Sequence, residues 1–367
     1  MSDAVTLKDD FTFLVSDHTG DVVNTTEGHG MYLHDTRYLS RLELFVDDER
    51  PEHLSYTTDY NIGATFRLSA PFVGPRERGG EVAVGRVGSA IGIARRRYIE
   101  HGLVESLEFT NYYPTDVDLT ATIRLGADFL DMFEVRGMPR PIPGHSVSIE
   151  TQKNQPGTNV LFRSRPVHAD RPGGAHTMLF LCDVTPERWE EITEPNRLTG
   201  VPMPEIALHY KLHIPPGQTK TLHLRAMPEP ANEGKGATTQ KAAVPEVSFR
   251  QQVGAARRVF TEWEQACTRI STDNYVLNRI LETSMLDLRS LMQQEPQGLV
   301  VTAGLPWYFT LFGRDSIAPP RWRLAPAHFP GRRRWCTSRG HWAQHTLATP
   351  QRLACRATPS VRSAGGS

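Results

Sequence analysis

The sequence predicts a mainly β protein, with a large antiparallel β-sandwich followed by amphipathic helices. Apolar and polar residues alternate in many short segments over most of the first two thirds of the chain, which is the period of a half-buried strand. Glycine- and proline-containing turns separate these segments without a helical period between them, a pattern typical of a sandwich. Beyond 248 the apolar spacing changes to that of a helix.

The strand period is visible early and becomes clearest in the middle of the chain. Phe11, Phe13 and Val15 alternate with polar neighbours, which indicates a first strand. In 117–125 five apolar residues fall on one face, and this strand forms a pair with one predicted over 103–111 across a proline-containing loop. Apolar residues on one face and polar ones on the other predict antiparallel strands with one wet side.

A second pair of strands closes the sandwich. It covers 206–214 and 219–225, and the intervening Pro215-Pro-Gly-Gln218 predicts a hairpin turn. We therefore assign 1–227 to an N-terminal β-sandwich domain. The next residues, 228–247, are rich in Pro, Glu, Ala and Gly, a composition that predicts a linker.

Two helices are predicted after the linker, within a domain segment 248–317. Ser248 and Gln251 form a plausible capping box for the first helix, and Thr272 or Asp273 caps the second. Both helices have an apolar face. Since each face needs a surface to cover it, the sequence predicts exposed apolar residues unless more helices pack here.

Charge narrows the class of partner. Formal net charge is zero, but residues 318–367 hold nine Arg and no Lys, Asp or Glu, so 1–317 carries 32 basic against 41 acidic residues. An acidic body argues against nucleic acid or an anionic membrane as partner. It favours an uncharged substrate.

Cysteine usage and hydropathy predict a cytoplasmic protein. The four cysteines show no paired or metal-type spacing, which suits a reducing compartment. The first residues are polar and acidic, unlike a signal peptide. No apolar run approaches the roughly 20 residues that cross a bilayer.

The stretch 303–316 is chemically the most distinctive part of the chain. Aromatic residues that include Trp307, a proline and two glycines surround Arg314 and Asp315. This mixture suits a sugar pocket, with aromatic faces for stacking and a charged pair that holds hydroxyls. The alternative is a tight buried loop in which Arg314 and Asp315 bridge each other.

Two motifs carry a family resemblance. One is Gly30-Met-Tyr-Leu-His-Asp-Thr-Arg-Tyr-Leu-Ser-Arg-Leu42 and the other is Gly304-Leu-Pro-Trp-Tyr-Phe-Thr-Leu-Phe-Gly-Arg-Asp-Ser316. The first resembles the Gly-Leu-Tyr-x-x-Asp-Thr-Arg-x-Leu-Ser pattern of bacterial glycogen debranching enzymes of the amylo-α-1,6-glucosidase type. The second is similar to the start of their catalytic domain, and the match spans about 11–317.

This resemblance implies a β-sandwich domain followed by the first helices of a six-hairpin (α/α)6 toroid, which hydrolyses α-glucosidic bonds without metal or organic cofactor. The partner it implies is an α-glucan or oligosaccharide. Arg314 and Asp315 are expected to bind sugar hydroxyls, as the similar Arg-Asp-Ser run does in related glucoamylase toroids, and Trp307 to stack. Asp35 and Arg37 are possible substrate contacts; alternatively Asp35 caps the next residues of an ordered loop and Arg37 pairs with an acid.

No catalytic residue is assigned. Inverting glycoside hydrolysis needs two carboxylates roughly 6.5–9.5 Å apart, and 318–367 contains no Asp or Glu. The 70 residues of 248–317 are also too few for a toroid of at least ~200 residues. We therefore expect a truncated and inactive family member.

The Arg-rich tail, 318–367, has a composition typical of GC-rich coding DNA read out of frame. We predict a frameshift near 317–319 and a disordered tail. The alternative is a genuine basic tail for an acidic partner. The nucleotide sequence past codon 316 distinguishes the two.

Three weaker signals favour structural roles. His209, His213 and His223 are predicted on the wet faces of a hairpin, where a metal site is not expected. The run 95–97 is predicted to be strand-edge charge. The acidic residues of 128–134 are predicted to form a solvated loop.

Three functions remain open from the sequence. The first is a truncated debranching-enzyme-like protein descended from an α-glucosidase. The second is a stand-alone carbohydrate-binding or interaction sandwich without catalysis. The third is a nonfunctional fragment that folds only in its first domain.

Overall fold

The computed structural model describes residues 4–24, 28–72, 87–138, 145–153, 157–166, 175–229, 249–267, 270–295, 298–310, 312, 333–336 and 342–345. The strands are β1 Val5–Asp9, β2 Thr12–Ser16, β3 Gly30–Leu33, β4 Thr36–Leu39, β5 Arg41–Val46, β6 Glu52–Asp59, β7 Gly63–Phe72, β8 Val87–Ile99, β9 Leu103–Asn111, β10 Val117–Gly126, β11 His145–Lys153, β12 Thr158–Pro166, β13 Thr177–Cys182, β14 Arg188–Pro195, β15 Pro202–Ile214, β16 Thr219–Glu229, β17 Met292–Glu295, β18 Gly298–Val301, β19 Arg333–Cys336 and β20 Trp342–His345. The helices are α1 Met132–Val135, α2 Phe249–Gln265 and α3 Tyr275–Ser290.

Three antiparallel sheets form the body of the protein, which confirms the mainly β prediction. One is eight-stranded, in the order β11-β12-β13-β16-β9-β8-β7-β6. Two are four-stranded, β14-β15-β10-β5 and β1-β2-β3-β4. One continuous hydrophobic core joins buried side chains from all three sheets.

The predicted strands exist, but their pairing differs from the prediction. Strands β9 and β10 follow each other in the chain yet lie in different sheets, and so do β15 and β16. Instead β10 pairs with β15, and β9 pairs with β16. The predicted hairpin over 206–225 is therefore wrong: its turn carries the chain from one layer of the sandwich to the other.

Asn111 explains why these two crossings lie side by side. Its side-chain amide donates to the carbonyls of Thr115 and Ile214, both at 2.8 Å. Its backbone carbonyl accepts from Gly217 at 2.9 Å, and the residue is fully buried. One side chain thus satisfies backbone groups from both crossing loops, which alternation patterns do not reveal.

The inner face of the eight-stranded sheet contains a buried ionic cluster, here called the core ion cluster: Asp21, Arg95, Arg97 and Glu105. Arg95 and Arg97 are about 1% and 0% exposed. Arg95 Nη1 lies 2.6 Å from an oxygen of Asp21 and its Nε lies 2.8 Å from Glu105, which also pairs with Arg97 at 2.5 Å. The prediction of strand-edge charge for 95–97 is wrong, because β8 is an interior strand.

Burial shifts the ionisation of this cluster. It lowers the pKa of Arg97 to about 10, against the attraction of Glu105. It raises the pKa of Asp21 to about 6, although Arg95 opposes that shift. Arg95 and Arg97 face Asp21 and Glu105, and Asp21 also pairs with the half-exposed Arg50 at 2.7 Å. Removing one of the two acids therefore leaves two buried bases with a single buried acid between them.

A second correction concerns His209. It is 5% exposed, and its Nδ1 lies 2.9 Å from the hydroxyl of Thr122 on the neighbouring strand β10. It was predicted on a wet face, but ion pairs and edge strand β14 cover this part of the sheet. His213 and His223 are exposed, as predicted.

The helices follow the predicted change of period. Asn274 caps α3, accepting from the amide of Leu277 at 3.1 Å, so the predicted cap at Thr272 or Asp273 is one or two residues early. The proposed capping residue Ser248 and residues 230–247 of the predicted linker 228–247 lie outside the described residues, while 228 and 229 belong to β16. No side chain of α3 is buried. The apolar residues of its first part, up to Ile280, are exposed as expected, for example Tyr275 at 75% and Ile280 at 56%, whereas those after Ile280 are half-buried.

The helices join the sandwich through a few specific contacts. Helix α2 packs on the eight-stranded sheet, where the ring of Phe249 lies 6.4 Å from that of Tyr98. Lys8 of β1 donates from Nζ to the carbonyl of Met292 at 2.7 Å. Burial lowers the pKa of Lys8 to about 8. The hairpin β17–β18 is thereby attached to the four-stranded sheet β1-β2-β3-β4.

Of the tail, the structure describes the antiparallel pair β19–β20. The frameshift hypothesis stays a prediction about the gene. Within the described ranges, none of the helices combines the length and apolar character needed to cross a bilayer.

We predict that Glu105→Gln destabilises the protein by about 3–5 kcal/mol, because it leaves Arg95 and Arg97 buried with one acid fewer. The measurement is the free energy of unfolding in urea. Glu282→Gln is the control, since Glu282 pairs with Arg279 on the solvent side of α3, and a change within about 0.5 kcal/mol is expected. Equal effects of the two substitutions would contradict the structural role of the core ion cluster.

Candidate functional site

The described part of the distinctive stretch forms a closed loop, here called the aromatic loop (303–312). Its ends meet where the amide of Ala303 donates to the carbonyl of Thr310 at 3.2 Å. Within it, the amide of Gly304 donates to the carbonyl of Tyr308 at 3.1 Å, and the Leu305–Pro306 peptide is cis. The loop therefore has one side that faces the protein and one that faces outward.

The side chains on the inward side anchor the loop to the four-stranded sheet β1-β2-β3-β4. Phe309 is 4% exposed, and its ring meets that of Phe13 edge-on at 5.2 Å. Trp307 is half-buried in the same apolar cluster. A Cβ on Gly28 would lie 2.8 Å from the Trp307 ring, so the indole rests directly on backbone. These contacts position the loop.

The outward side presents an aromatic edge, defined here as Tyr308, Phe312 and Arg136. Tyr308 and Phe312 are 46% and 41% exposed, and their ring centroids are 6.0 Å apart. The Arg136 guanidinium lies 5.2 Å from the Tyr308 ring centroid and donates to its hydroxyl at 3.0 Å. An arginine that holds an exposed ring in place prepares a rigid surface for stacking.

Beneath this edge lies a buried clamp around Arg37, which is 0% exposed. Its Nε donates to Asp128 at 3.1 Å, and its Nη2 forms a short ion pair with the same carboxylate. Its other donors reach the carbonyl of His29 and the side chain of Asn24, both at 3.0 Å. Asn196 also donates to Asp128 at 3.0 Å, so the carboxylate is bound from two sides.

The electrostatics of this clamp favour its charged form. Burial alone would lower the pKa of Arg37, but Asp128 and Tyr32 together more than offset this, and the pKa is raised above its ordinary value. Burial also raises the pKa of the neighbouring Tyr32 to about 12. Arg37 is therefore a permanent buried cation, and its stabilisation depends on Asp128.

The clamp positions helix α1, which is followed by Arg136 of the aromatic edge. The amide of Arg37 donates to the carbonyl of Leu130 at 2.9 Å, and the amide of Met132 donates to the carbonyl of Asp35 at 3.0 Å. Strand β4 thereby fixes the start of α1, whose last turn is followed by Arg136. Asp131 caps α1, and Glu134 completes the capping box.

Gly30 makes room for the clamp. Its φ is +155°, and a Cβ at this position would lie 2.4 Å from Cδ of Arg37. Only glycine lets the arginine stem pass so close to strand β3. The spacing between Gly30 and Arg37 in the first motif thus has a steric reason.

The predicted site residues that the structure describes lie in different environments. Trp307 borders the loop from its inward side. Asp35 is exposed, while Arg37 is buried and pairs with an acid, as one of the two alternatives predicted. The expected cap from Asp35 onto the amide of Arg37 is wrong, because that amide donates to Leu130. Arg314 and Asp315 lie outside the described residues.

Sequence reasoning missed the partners of this site. The solvated acidic loop predicted for 128–134 is wrong: Asp128 is 2% and Glu134 is 6% exposed. Arg136 was not predicted at all, since an arginine beside a glycine carries no pattern of its own. A usable signal in the sequence is a basic residue within a predicted strand. If such a residue is buried, as Arg37 is, it requires a buried acidic partner.

Metal ligation does not emerge from this geometry. Within the described ranges, no group of three or more His, Cys, Asp or Glu side chains is arranged to hold an ion. The arrangement offers instead exposed ring faces and guanidinium donors, which suit a neutral, hydroxyl-bearing ligand.

By its fold, the protein is an antiparallel β-sandwich domain that leads into helices. A family model described as the N-terminal domain of (some) glycogen debranching enzymes matches residues 7–225, more than half of the chain. The chain belongs to this family, as the resemblance of its two motifs predicted. No curated protein sequence matches the chain.

Comparison with one solved structure supports the fold. A human-microbiome protein assigned as a kojibiose phosphorylase superposes with a TM-score of 0.53 at 10% identity, over 82% of this chain and 41% of its own. This chain thus spans less than half the length of that relative. A GH92 inverting mannosidase from Bacteroides thetaiotaomicron gives 0.40 at 11% identity, over 82% and 39%. A galactose mutarotase related enzyme from Lactobacillus acidophilus gives 0.35 at 6% identity, over 63% and 98%.

We predict that Gly30→Ala costs at least about 2 kcal/mol more stability than Gly217→Ala. Both positions have a positive φ, but a Cβ at Gly217 meets no atom within 4 Å. The control carries the strain of a left-handed φ of +67° without a collision. The difference therefore reports the collision with Arg37 together with the stricter glycine requirement at a φ of +155°. Urea unfolding of both variants measures it. Equal destabilisation would show that the close approach to Arg37 carries no energetic weight.

Proposed function

We propose that this chain is the glucan-holding part of a debranching-enzyme-type glycosidase, in which the aromatic edge stacks against glucose units of an α-glucan. The observation that carries this proposal is the outward pair Tyr308 and Phe312, held by Arg136. Arg314 and Asp315 follow at once in the sequence and would supply hydroxyl partners next to the stacking rings. Trp307 anchors the loop and borders the same surface.

The family activity we associate with this site is hydrolysis of α-1,6-glucosidic branches of glycogen by an inverting mechanism. That reaction uses a general acid and a base that activates water, roughly 6.5–9.5 Å apart. Asp315 is one carboxylate, and 318–367 supplies no other. We therefore propose that this chain holds the glucan without cleaving it.

The proposed location is the cytoplasm, where glycogen is the matching substrate. Buried Cys182 and Cys267 are free thiols, which supports a reducing compartment. The surplus of acidic residues over 1–317 supports an uncharged partner over nucleic acid.

We predict that Tyr308→Ala combined with Phe312→Ala weakens binding to maltoheptaose by about 5- to 150-fold, because each of the two stacking rings contributes about 0.5–1.5 kcal/mol. Tyr112→Ala is the matched control, since Tyr112 is an exposed tyrosine (73%) of the sandwich surface. Affinity electrophoresis on glycogen and titration with maltoheptaose measure the effect. Undiminished retention of the double variant would favour the stand-alone sandwich module as the binding element.

We also predict that the chain releases no glucose from a branched dextrin during prolonged incubation. The reason is that 318–367 contains no Asp or Glu that could act together with Asp315 as acid and base, and an enzymatic glucose assay is the measurement. The decisive contrary result is turnover that disappears in Asp315→Asn, because contaminating glucosidase activity would not respond to that substitution.

A further inference from the structure

A separate cleft lies where strand β1 and the β6–β7 turn meet the helices. Its volume is about 310 Å³, at the lower end of the range for ligand pockets. Its walls include Lys8, Asp9, Asp10, Tyr60, Phe260 and Arg289. None of the residues of the aromatic edge lines it, so it is a different place on the molecule.

Two charged groups on its wall have unused hydrogen-bonding capacity. Arg289, in the last turn of α3, is half-buried, and its guanidinium makes no hydrogen bond or ion pair within the described residues. The carboxylate of Asp9 is likewise without such a partner there. Burial lowers the pKa of Arg289 and raises that of Asp9. Half-buried groups of this kind gain from a ligand that supplies their partners.

The remaining charges of the cleft are already satisfied and balance it. Lys8 Nζ is bound to the carbonyl of Met292 at 2.7 Å, and Asp10 accepts from the amide of Gln294 at 2.8 Å. The cleft therefore contains two bases and two acids. Such a wall offers donors and acceptors together and disfavours ligands that carry a strong net charge.

Aromatic side chains form another wall. The rings of Tyr60 and Phe260 lie 5.2 Å apart at 48°. Tyr60 has a φ of +52°, which is rare for a bulky residue. The turn is closed by the amide of Ile62, which donates to the carbonyl of Asp59 at 3.1 Å. This unfavourable backbone places the tyrosine on the cleft.

We propose that this cleft binds a short neutral saccharide, with Arg289 donating to its hydroxyls, Asp9 accepting from them and Tyr60 packing against the sugar ring. A guanidinium, a carboxylate and a ring face together match a sugar better than an anion or an apolar ligand. The choice of an α-glucan fragment as ligand rests on the proposed function. The cleft and its unpartnered groups do not.

The test uses the full chain carrying Tyr308→Ala and Phe312→Ala, so that the aromatic edge no longer contributes. Maltose is titrated and followed by calorimetry and by hydrogen exchange of 58–62 and 287–294. We expect binding and added protection in these segments. Arg289→Gln in the same background should weaken binding about ten-fold or more, because a charged hydrogen bond is lost. Arg279→Gln, an exposed arginine of the same helix, should leave it unchanged.

Asp9→Asn gives a second variant in case Arg289→Gln alters folding, and thermal midpoints check both. The proposal is overturned if maltose fails to bind the background variant, or if both substitutions titrate like it. Tighter binding of inorganic phosphate or acetate than of maltose would also overturn it, in favour of an anion site. If the aromatic edge proves irrelevant to glycogen while Arg289→Gln still weakens maltose, the proposed function fails and the cleft stands.

Discussion

The buried ion pair between Arg37 and Asp128 is the interaction on which the candidate site depends. It connects the hairpin β3–β4 to the segment before α1, and through α1 it fixes Arg136 against Tyr308. Burying this pair costs desolvation, which close geometry and further hydrogen bonds from Asn24, Asn196 and a backbone carbonyl offset. Removing either partner would leave an unpaired charge in the interior. The same ion pair therefore stabilises both the fold and the candidate site.

The core ion cluster imposes a comparable constraint on the sandwich itself. Arg97 and Glu105 are direct cross-strand partners on β8 and β9. A slip of one residue would turn Glu105 to the opposite face of the sheet and leave Arg97 buried alone. The cluster therefore fixes the register of β8 against β9 more than it adds net stability. Asp21 extends this constraint to the loop after β2.

How far the sequence determines this picture can be followed residue by residue. Alternation correctly predicted the buried face of β10, because Leu119 and Ile123 each contribute a local period. It could not predict that β9 and β10 separate into different sheets, since that outcome depends on Asn111 joining two crossing loops. Nor could it place the buried arginines: Arg95 and Arg37 look like surface residues until their acids, distant in sequence, come into contact. Residues that act through such partners, for example Asp128, were therefore missed, and substrate stacking by Trp307 stays a prediction.

The aromatic loop shows why so many rings occur in one short motif. Phe309 and Trp307 anchor the loop on the first sheet, while Tyr308, between them, faces outward with Phe312. Alternation thus gives the same segment an anchored side and an exposed side. Two glycines complete the arrangement: Gly28, two residues before the early motif, receives the indole, and Gly30, the first residue of the motif, admits the stem of Arg37. Two motifs from opposite ends of the described chain therefore specify one surface, and neither could form it without the other.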